Sequence, residues 1–392
     1  MKQTGKGFVI DEERLTSFGL RLIREESPSG KERGVAQLVA AELERLGFQV
    51  EVDELGNVTG TIEAGGGPCI LIDSHMDTVG VTDPAAWSYS PEGQRVDGRI
   101  YGRGAMDMKG PLAASVYGAA AAKDLLRRGK IVVSATVAEE FVEGPALARV
   151  AKRVNPAFVV ICEATSLKLA RGQRGRAEFR VEVFGRPAHS SRPELGVNAA
   201  QAMADIVREL RDLEPPPRHA IGGGILVLTD IISRPYPGLS VVPDYCVATF
   251  DRRTLPGETE EDVLDPVRRV IEQALSGSEA EAKATIAEDD FESYTGERVR
   301  APNFAPAWYF DDDAEVVRRA SAGLERAGIT SELTHYAFCT NGSGTAGRLG
   351  IPTIGFGPGE EELAHRVDEY IEVDQLRAAA CGYAALAQQL TE

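Results

Sequence analysis

Apolar positions in the first part of the chain fall into two alternating spacings. Over residues 11–26, Leu15, Phe18 and Leu22 recur at helical intervals with Ile23 beside them, which predicts an amphipathic helix. Gly19 inside the run is unfavourable there, and Ser27, Pro28, Ser29 and Gly30 stop it. A second helix is predicted over 31–46, ending at Gly47. Short apolar runs at 48–52, 58–62 and 69–73 predict strands. Residues 110–126 predict an Ala- and Leu-rich helix closed by Arg127, Arg128 and Gly129, and 130–137 and 158–162 predict buried strands. Strands alternating with helices imply an α/β domain: a mostly parallel sheet with helices on both faces.

The pattern changes near residue 176. Residues 177–184 alternate apolar and polar, as a half-exposed antiparallel strand does. A helix over about 197–213, a Pro-rich turn at 215–217, strands over 224–232 and 239–253, a helix over 260–275 and a strand near 283–287 follow. The order β-α-β-β-α-β is that of a ferredoxin-like α+β unit. The α/β pattern then resumes with a helix over 313–327, strands near 331–334 and 353–356, and a helix over 373–389. The expected division is a discontinuous α/β domain, 1–175 and 293–392, interrupted by this α+β unit, 176–292. Residues 289–310 carry no clear period and are expected to be irregular linker.

Composition narrows the function classes. A chain of 392 residues is long for one core, which favours two domains. With a net charge of -17, it lacks the excess of Lys and Arg that a nucleic-acid surface needs. No run approaches the ~20 apolar residues of a membrane span, and no lipidation motif is present. The run MKQTGKGFVIDEERL has no apolar stretch of signal-peptide length. Five Cys (69, 162, 246, 339 and 381) are widely spaced with no CxxC pair, so neither a zinc ribbon nor a disulfide framework is indicated. Cys69 and Cys162 sit in apolar runs and are expected to be buried thiols. A reducing cytoplasm is the expected location.

The candidate chemistry lies where several of these strands end. His75 occurs in LIDSHMDTVG, Asp107 in YGRGAMDMKG, Glu139 and Glu140 in ATVAEEFVEG, Glu163 in ICEATS and His365 in ELAHRVDE. Open α/β sheets build their sites at the carboxyl ends of strands. A single Asp or Glu at a strand end is more often a helix cap or a solvated loop residue; the combination of five motifs carries the inference. Together they supply a dinuclear site. Asp107 would bridge, His75 and Glu163 would complete one ion, and Glu140 and His365 the other. Oxygen and imidazole donors without thiolate suit Zn²⁺, with Co²⁺ or Mn²⁺ as alternatives. Asp77, two residues after His75, is expected to orient its ring. Glu139 would face the attacking water as general base.

These runs, together with GRPAHSSRPELGVNA and VVPDYCVATFDRRTLPGE, resemble the M20 family of metallopeptidases over nearly the whole chain. The nearest branch is that of acetylornithine deacetylase, succinyl-diaminopimelate desuccinylase and carboxypeptidase G2. The runs ARGQRGRAEF, FCTNGSGTAG and GFGPGEEELAH look most like a selenium-metabolism-linked hydrolase sub-branch. The resemblance implies the ligand roles above, with Glu139 as base, a metal-binding catalytic domain in 1–175 and 293–392, and a lid or dimerisation domain in 176–292. It implies that His189 reaches the partner subunit's site and holds the oxyanion, that Arg253 grips a substrate carboxylate, and that Gly342, Ser343, Gly344 and Thr345 line the substrate pocket. Arg252 should turn to the other sheet face and be structural. Several relatives carry Asn where Ser240 stands, which puts one cross-subunit contact in doubt. His335 and His219 match no ligand position; His335 is placed near the pocket and His219 in a loop.

The activity implied is hydrolysis of an amide bond in an N-acyl amino acid or small peptide with a free carboxylate, by a homodimer. Exopeptidase activity of the same family remains the alternative, and a non-catalytic ligand-binding homodimer is the rival from another class. Ala200, Ala204 and Val207 form a helix stripe that serves either an interface or the core.

Overall fold

A nine-stranded sheet organises the first of two compact units. The computed structural model describes residues 7–216 and 219–392. The first unit runs to Gln173 and takes in Asp290–Arg300 and Trp308–Glu392; the second comprises Arg174–Asp289 and Ala301–Ala307.

The strand Cys69–His75 lies in the middle of the large sheet, and all seven of its residues are buried. It pairs in parallel with Lys130–Thr136 on one side and Phe158–Ile161 on the other, and Thr353–Gly355 adds a further parallel neighbour. The flanks are mostly antiparallel, with Gln49–Val52 and Val58–Glu63 on one side and Leu169–Gln173 and Trp308–Tyr309 on the other, while Leu333–Tyr336 joins Leu169–Gln173 in parallel. Helices cover both faces, and alternate residues of one strand serve different cores. Ile70 and Ile72 join the larger core beneath the helices Glu12–Arg24, Gly110–Ala122 and Val373–Thr391, while Cys69 and Leu71 meet the helix Pro145–Val154. Gly118 permits the close crossing of two of these helices, because a Cβ there would lie 2.5 Å from the Ala380 carbonyl oxygen.

The second unit has the expected β-α-β-β-α-β order. Its sheet runs Ile225–Arg234, Tyr245–Thr254, Gly175–Phe184, Glu281–Ile286, and each of these neighbours is antiparallel. Ala177, Phe179, Val181 and Val183 alternate inward against the helices Ala199–Leu210 and Glu260–Ala274. The inward face of Ala199–Leu210 is Ala199, Ala202, Met203, Ile206 and Leu210. Ala200 and Ala204 therefore lie outside the buried stripe, while half-buried Val207 packs against this core.

Several elements differ from expectation. Residues 289–310 are not an irregular linker: Glu288–Glu292 and Arg298–Pro302 form a two-stranded sheet, and Phe304–Ala305 adds to the strand Gly175–Phe184. Their charged faces hid the strand period, and an Arg298–Asp290 ion pair of 2.8 Å spans the hairpin. The strand expected from 239 begins at Tyr245, beyond Pro243, which has no N–H to give a ladder. The turn expected at 215–217 ends on Pro217, which lies outside the described residues. The helix Pro145–Val154 and a three-stranded sheet of Gln94–Val96, Arg99–Tyr101 and Tyr370–Glu372 were not expected. Among the described residues, no helix is long and apolar enough to cross a membrane.

Candidate metal centre

Parallel pairing places three of the motifs side by side. His75 closes its strand opposite Thr136, and the chain after Thr136 delivers Glu139 and Glu140. Glu163 follows the strand Phe158–Ile161. Asp107 comes from the bend ahead of the helix Gly110–Ala122, where its peptide bond to Met108 is cis. His365 comes from the loop before Tyr370–Glu372.

The side chains converge on Asp107. His75 Nε2 lies 3.1 Å from Asp107 Oδ1, 3.4 Å from Glu163 Oε1 and 3.9 Å from Glu139 Oε2. His365 Nε2 lies 3.2 Å from Asp107 Oδ2 and 3.1 Å from Glu140 Oε2. The two oxygens of one carboxylate thus face two different imidazoles. Their donor atoms form two sets of metal-ligating type, His75–Asp107–Glu140 and His75–Glu139–Glu163. His75 is buried and His365 half-exposed.

The surroundings hold this geometry. His75 Nδ1 is 2.9 Å from the Asp77 backbone oxygen and 3.5 Å from its carboxylate. The nearer orienting acceptor is therefore the main chain of Asp77. Its carboxylate instead accepts the backbone N–H groups of Glu139 and Glu140, each at 3.1 Å, and the Ser29 hydroxyl at 2.6 Å. The sequence motifs single out no role for Glu369. Its buried carboxylate accepts from the backbone N–H groups of Gly104, Met106 and Asp107 and from Arg103 Nη1. The available signal was its position four residues after His365 in a turn.

Charge in the cluster is unbalanced. Among the described residues, the ion pairs of Asp107, Glu139, Glu140 and Glu163 are all to the two imidazoles. Burial, then the nearby Asp107 charge, pushes Glu163 up to about 7. Burial raises Glu139 well above the usual carboxyl value, and the Glu163 and Glu140 charges add to it against the pull of His75. Hydrogen bonds to Asp107 and Glu140 push His365 up to about 10. Burial opposes ionisation of Asp107, but the two imidazoles outweigh it and hold the carboxyl low. Four carboxylates gathered around two imidazoles in a largely buried site fit divalent cations.

A sequence model of peptidase family M20/M25/M40 matches residues 71–389. The chain belongs to this family. It is a metal-dependent hydrolase of the M20 type. YgeY of Escherichia coli (strain K12) is 35% identical over 382 residues, 95% of this chain and 93% of the relative. An acetylornithine deacetylase of Vibrio parahaemolyticus is 30% identical over 352 residues, 87% of each chain. The fold is shared with aminopeptidase PepT of Bacillus cereus, with a TM-score of 0.76 at 21% identity over 98% of this chain and 100% of that one. It is also shared with YXEP of Bacillus subtilis, a dinuclear metal-binding M20 peptidase, with a TM-score of 0.72 at 17% identity over 97% and 98%.

The remaining M20-type positions are distributed over both units. In the first, the N–H groups of Gly342, Ser343 and Gly344 are used inside their own turn, on Thr340 and Asn341. The Ser343 and Thr345 side chains are buried. His335 is exposed on the strand Leu333–Tyr336. In the second, Arg253 Nε pairs with Asp251 at 2.9 Å. Arg252 turns inward, buried against Glu258 at 2.8 Å. His189 is exposed, and its Nδ1 accepts the Ser191 N–H at 3.1 Å. Ser240 accepts the Ser190 N–H through its backbone oxygen, and His219 sits in a tight turn closed by Gly222. All five cysteines are buried; burial pushes the Cys69 thiol up to about 11.

Proposed function

We propose that this M20 enzyme hydrolyses the amide bond of an N-acyl amino acid, or of a small peptide with a free carboxylate, using two divalent metal ions. The observation that carries this is Asp107, whose two oxygens face His75 and His365 separately, as a shared ligand requires. His75 and Glu163 would complete one ion, and Glu140 and His365 the other. Zn²⁺ suits this donor set, with Co²⁺ or Mn²⁺ as alternatives. When bound, such a pair supplies Lewis acidity for the scissile carbonyl and for water.

The chain's own groups do the rest. Glu139 takes a proton from the attacking water and returns it to the leaving amine nitrogen. The Ser191 N–H on Nδ1 leaves the neutral His189 ring with its proton on Nε2. That is the donor an oxyanion needs, and it would come from the partner subunit. Arg253, steadied by Asp251 through Nε, offers its remaining guanidinium nitrogens to a substrate carboxylate. With its N–H groups already used, the 342–345 turn would act as a pocket wall.

A homodimer is supported by the edge strand Ile225–Arg234. Val227, Ile231 and Ile232 there are 47%, 49% and 46% exposed, an apolar unpaired edge of the kind that pairs with a copy of itself. Cytoplasmic location remains part of the proposal.

The test is metal-stripped enzyme given Zn²⁺, Co²⁺ or Mn²⁺ against N-acyl amino acids, their C-terminal amides and dipeptides. Metal-restored cleavage of the free acids, with the amides poor, is expected. Preference for dipeptides would favour the exopeptidase alternative, a carboxypeptidase or dipeptidase. Tight ligand binding by metal-free protein, with no cleavage under any metal, would revive a non-catalytic role.

A further inference from the structure

Four consecutive backbone N–H groups at the Glu139–Glu140 turn are each captured by a buried side chain. Val137 donates to Asn57 Oδ1, Ala138 to Glu32 Oε1, Glu139 to Asp77 Oδ1 and Glu140 to Asp77 Oδ2, each at 3.1 Å. The strand Lys130–Thr136 has ended here, so these donors no longer have a ladder partner and need other acceptors. Asp77 already has a part in the site; Asn57 and Glu32 have none.

Ala138 adopts φ 59°, the left-handed region that a residue with a Cβ disfavours. Such a conformation persists only where the surroundings over-determine it. Glu32 supplies that constraint. It is fully buried, and its Oε1 accepts the Gly30 N–H at 3.0 Å as well as that of Ala138. Its Oε2 has no hydrogen-bond partner among the described residues. A buried carboxylate oxygen left unmatched is a cost to the fold, so this residue is poorly explained by packing alone. What the left-handed turn achieves is divergence of two adjacent carboxylates. Glu139 reaches to 3.9 Å from His75, and Glu140 to 3.1 Å from His365.

We propose that Glu32 is a positioning residue for the general base: by accepting the Ala138 N–H it holds the left-handed turn that aims Glu139 apart from Glu140. This rests on Glu139 being the base. Asn57 supports the same turn one residue earlier.

The experiment compares Glu32→Ala, Glu32→Gln and the double variant Glu32→Ala with Ala138→Gly, as metal-loaded full-length enzyme. The readouts are kcat, KM, thermal midpoint and metal bound per chain. Glu32→Ala is expected to lower kcat by about 100-fold, the scale of an ångström's misplacement of a reacting group, with KM and metal content little changed. Glu32→Gln keeps an acceptor oxygen and is expected to restore most of the rate. The double variant is expected to recover about tenfold, because glycine enters the left-handed region freely. A merely structural Glu32 would lower the thermal midpoint without such rescue. Native kcat in Glu32→Ala, or a loss that Ala138→Gly does not relieve, overturns the proposal. Should Glu32→Ala not fold, Glu32→Asp withdraws the same acceptor by one methylene, and the same outcomes decide. Glu139→Gln is measured alongside. If it keeps native turnover, the base assignment has failed; if it is inactive while Glu32→Ala is native, only the positioning role has failed.

Discussion

Glu369 accepts the backbone N–H of Asp107 through Oε1 at 3.1 Å. The same carboxylate takes the N–H groups of Gly104 and Met106, and Arg103 at 2.6 Å. One buried side chain therefore fixes the bend that presents Asp107. Burial and the Asp107 charge push Glu369 up to about 7, while its hydrogen bonds pull the other way.

Glu369→Gln replaces one acceptor oxygen with an amide that faces donors. Loss of such an outer support costs about 10–100-fold in metal affinity. Competition with a chromogenic chelator measures this, and native affinity in the variant would contradict the assigned role.

Gly344 packs onto Gly144, and a Cβ there would lie 2.2 Å from the Gly144 carbonyl oxygen. Backbone cannot retreat as a flexible side chain can. Gly344→Ala should lower stability by about 1–3 kcal/mol and raise KM by displacing the 342–345 turn. Thermal unfolding and steady-state kinetics check both effects; an unchanged KM would separate the turn from substrate binding.

The edge strand Ile225–Arg234, paired on one side with Tyr245–Thr254, predicts a dimer interface. Val227→Lys with Ile231→Lys puts charge on its exposed apolar positions and should shift the protein from dimer to monomer in sedimentation analysis. If His189 serves the partner's site, kcat falls with dissociation. A double variant that remains dimeric moves the interface elsewhere.

Glu42 accepts from Arg45 and Tyr117 at 2.6 Å and from Arg21 at 3.0 Å. Burial raises its pKa, but these partners outweigh burial and hold the carboxyl below its ordinary 4.5. A depressed carboxyl contributes stability in full above the unfolded value, lost as pH falls through the folded one. Glu42→Gln should therefore cost about 2 kcal/mol at neutral pH, the scale of hydrogen bonds to a charged group. The difference from the native protein should close below pH 4.5. A constant difference across that range would assign the loss to packing.

Several site positions were legible because strand ends and short motifs coincide. His75, Glu139, Glu140 and Glu163 follow buried apolar runs whose parallel pairing brings their ends together. Asp107 and His365 were legible from motif chemistry, since neither follows a long strand. What the pattern could not reveal was support supplied across distance. Glu32, Asn57 and Glu369 look like ordinary polar residues beside turns. Their roles arise only when folding places them against N–H groups 106, 80 and 262 residues away. The hairpin Glu288–Glu292 and Arg298–Pro302 escaped because its charged faces and short strands lack a strong hydrophobic period.

The most direct test of the central claim is metal stoichiometry, by mass spectrometry on native and Asp107→Ala protein, with hydrolysis followed on the same samples. The shared-ligand geometry predicts two divalent ions per native chain, at most one in Asp107→Ala, and loss of hydrolysis with the second ion. A native chain that binds no metal, or an Asp107→Ala chain that keeps both ions and full activity, would contradict it.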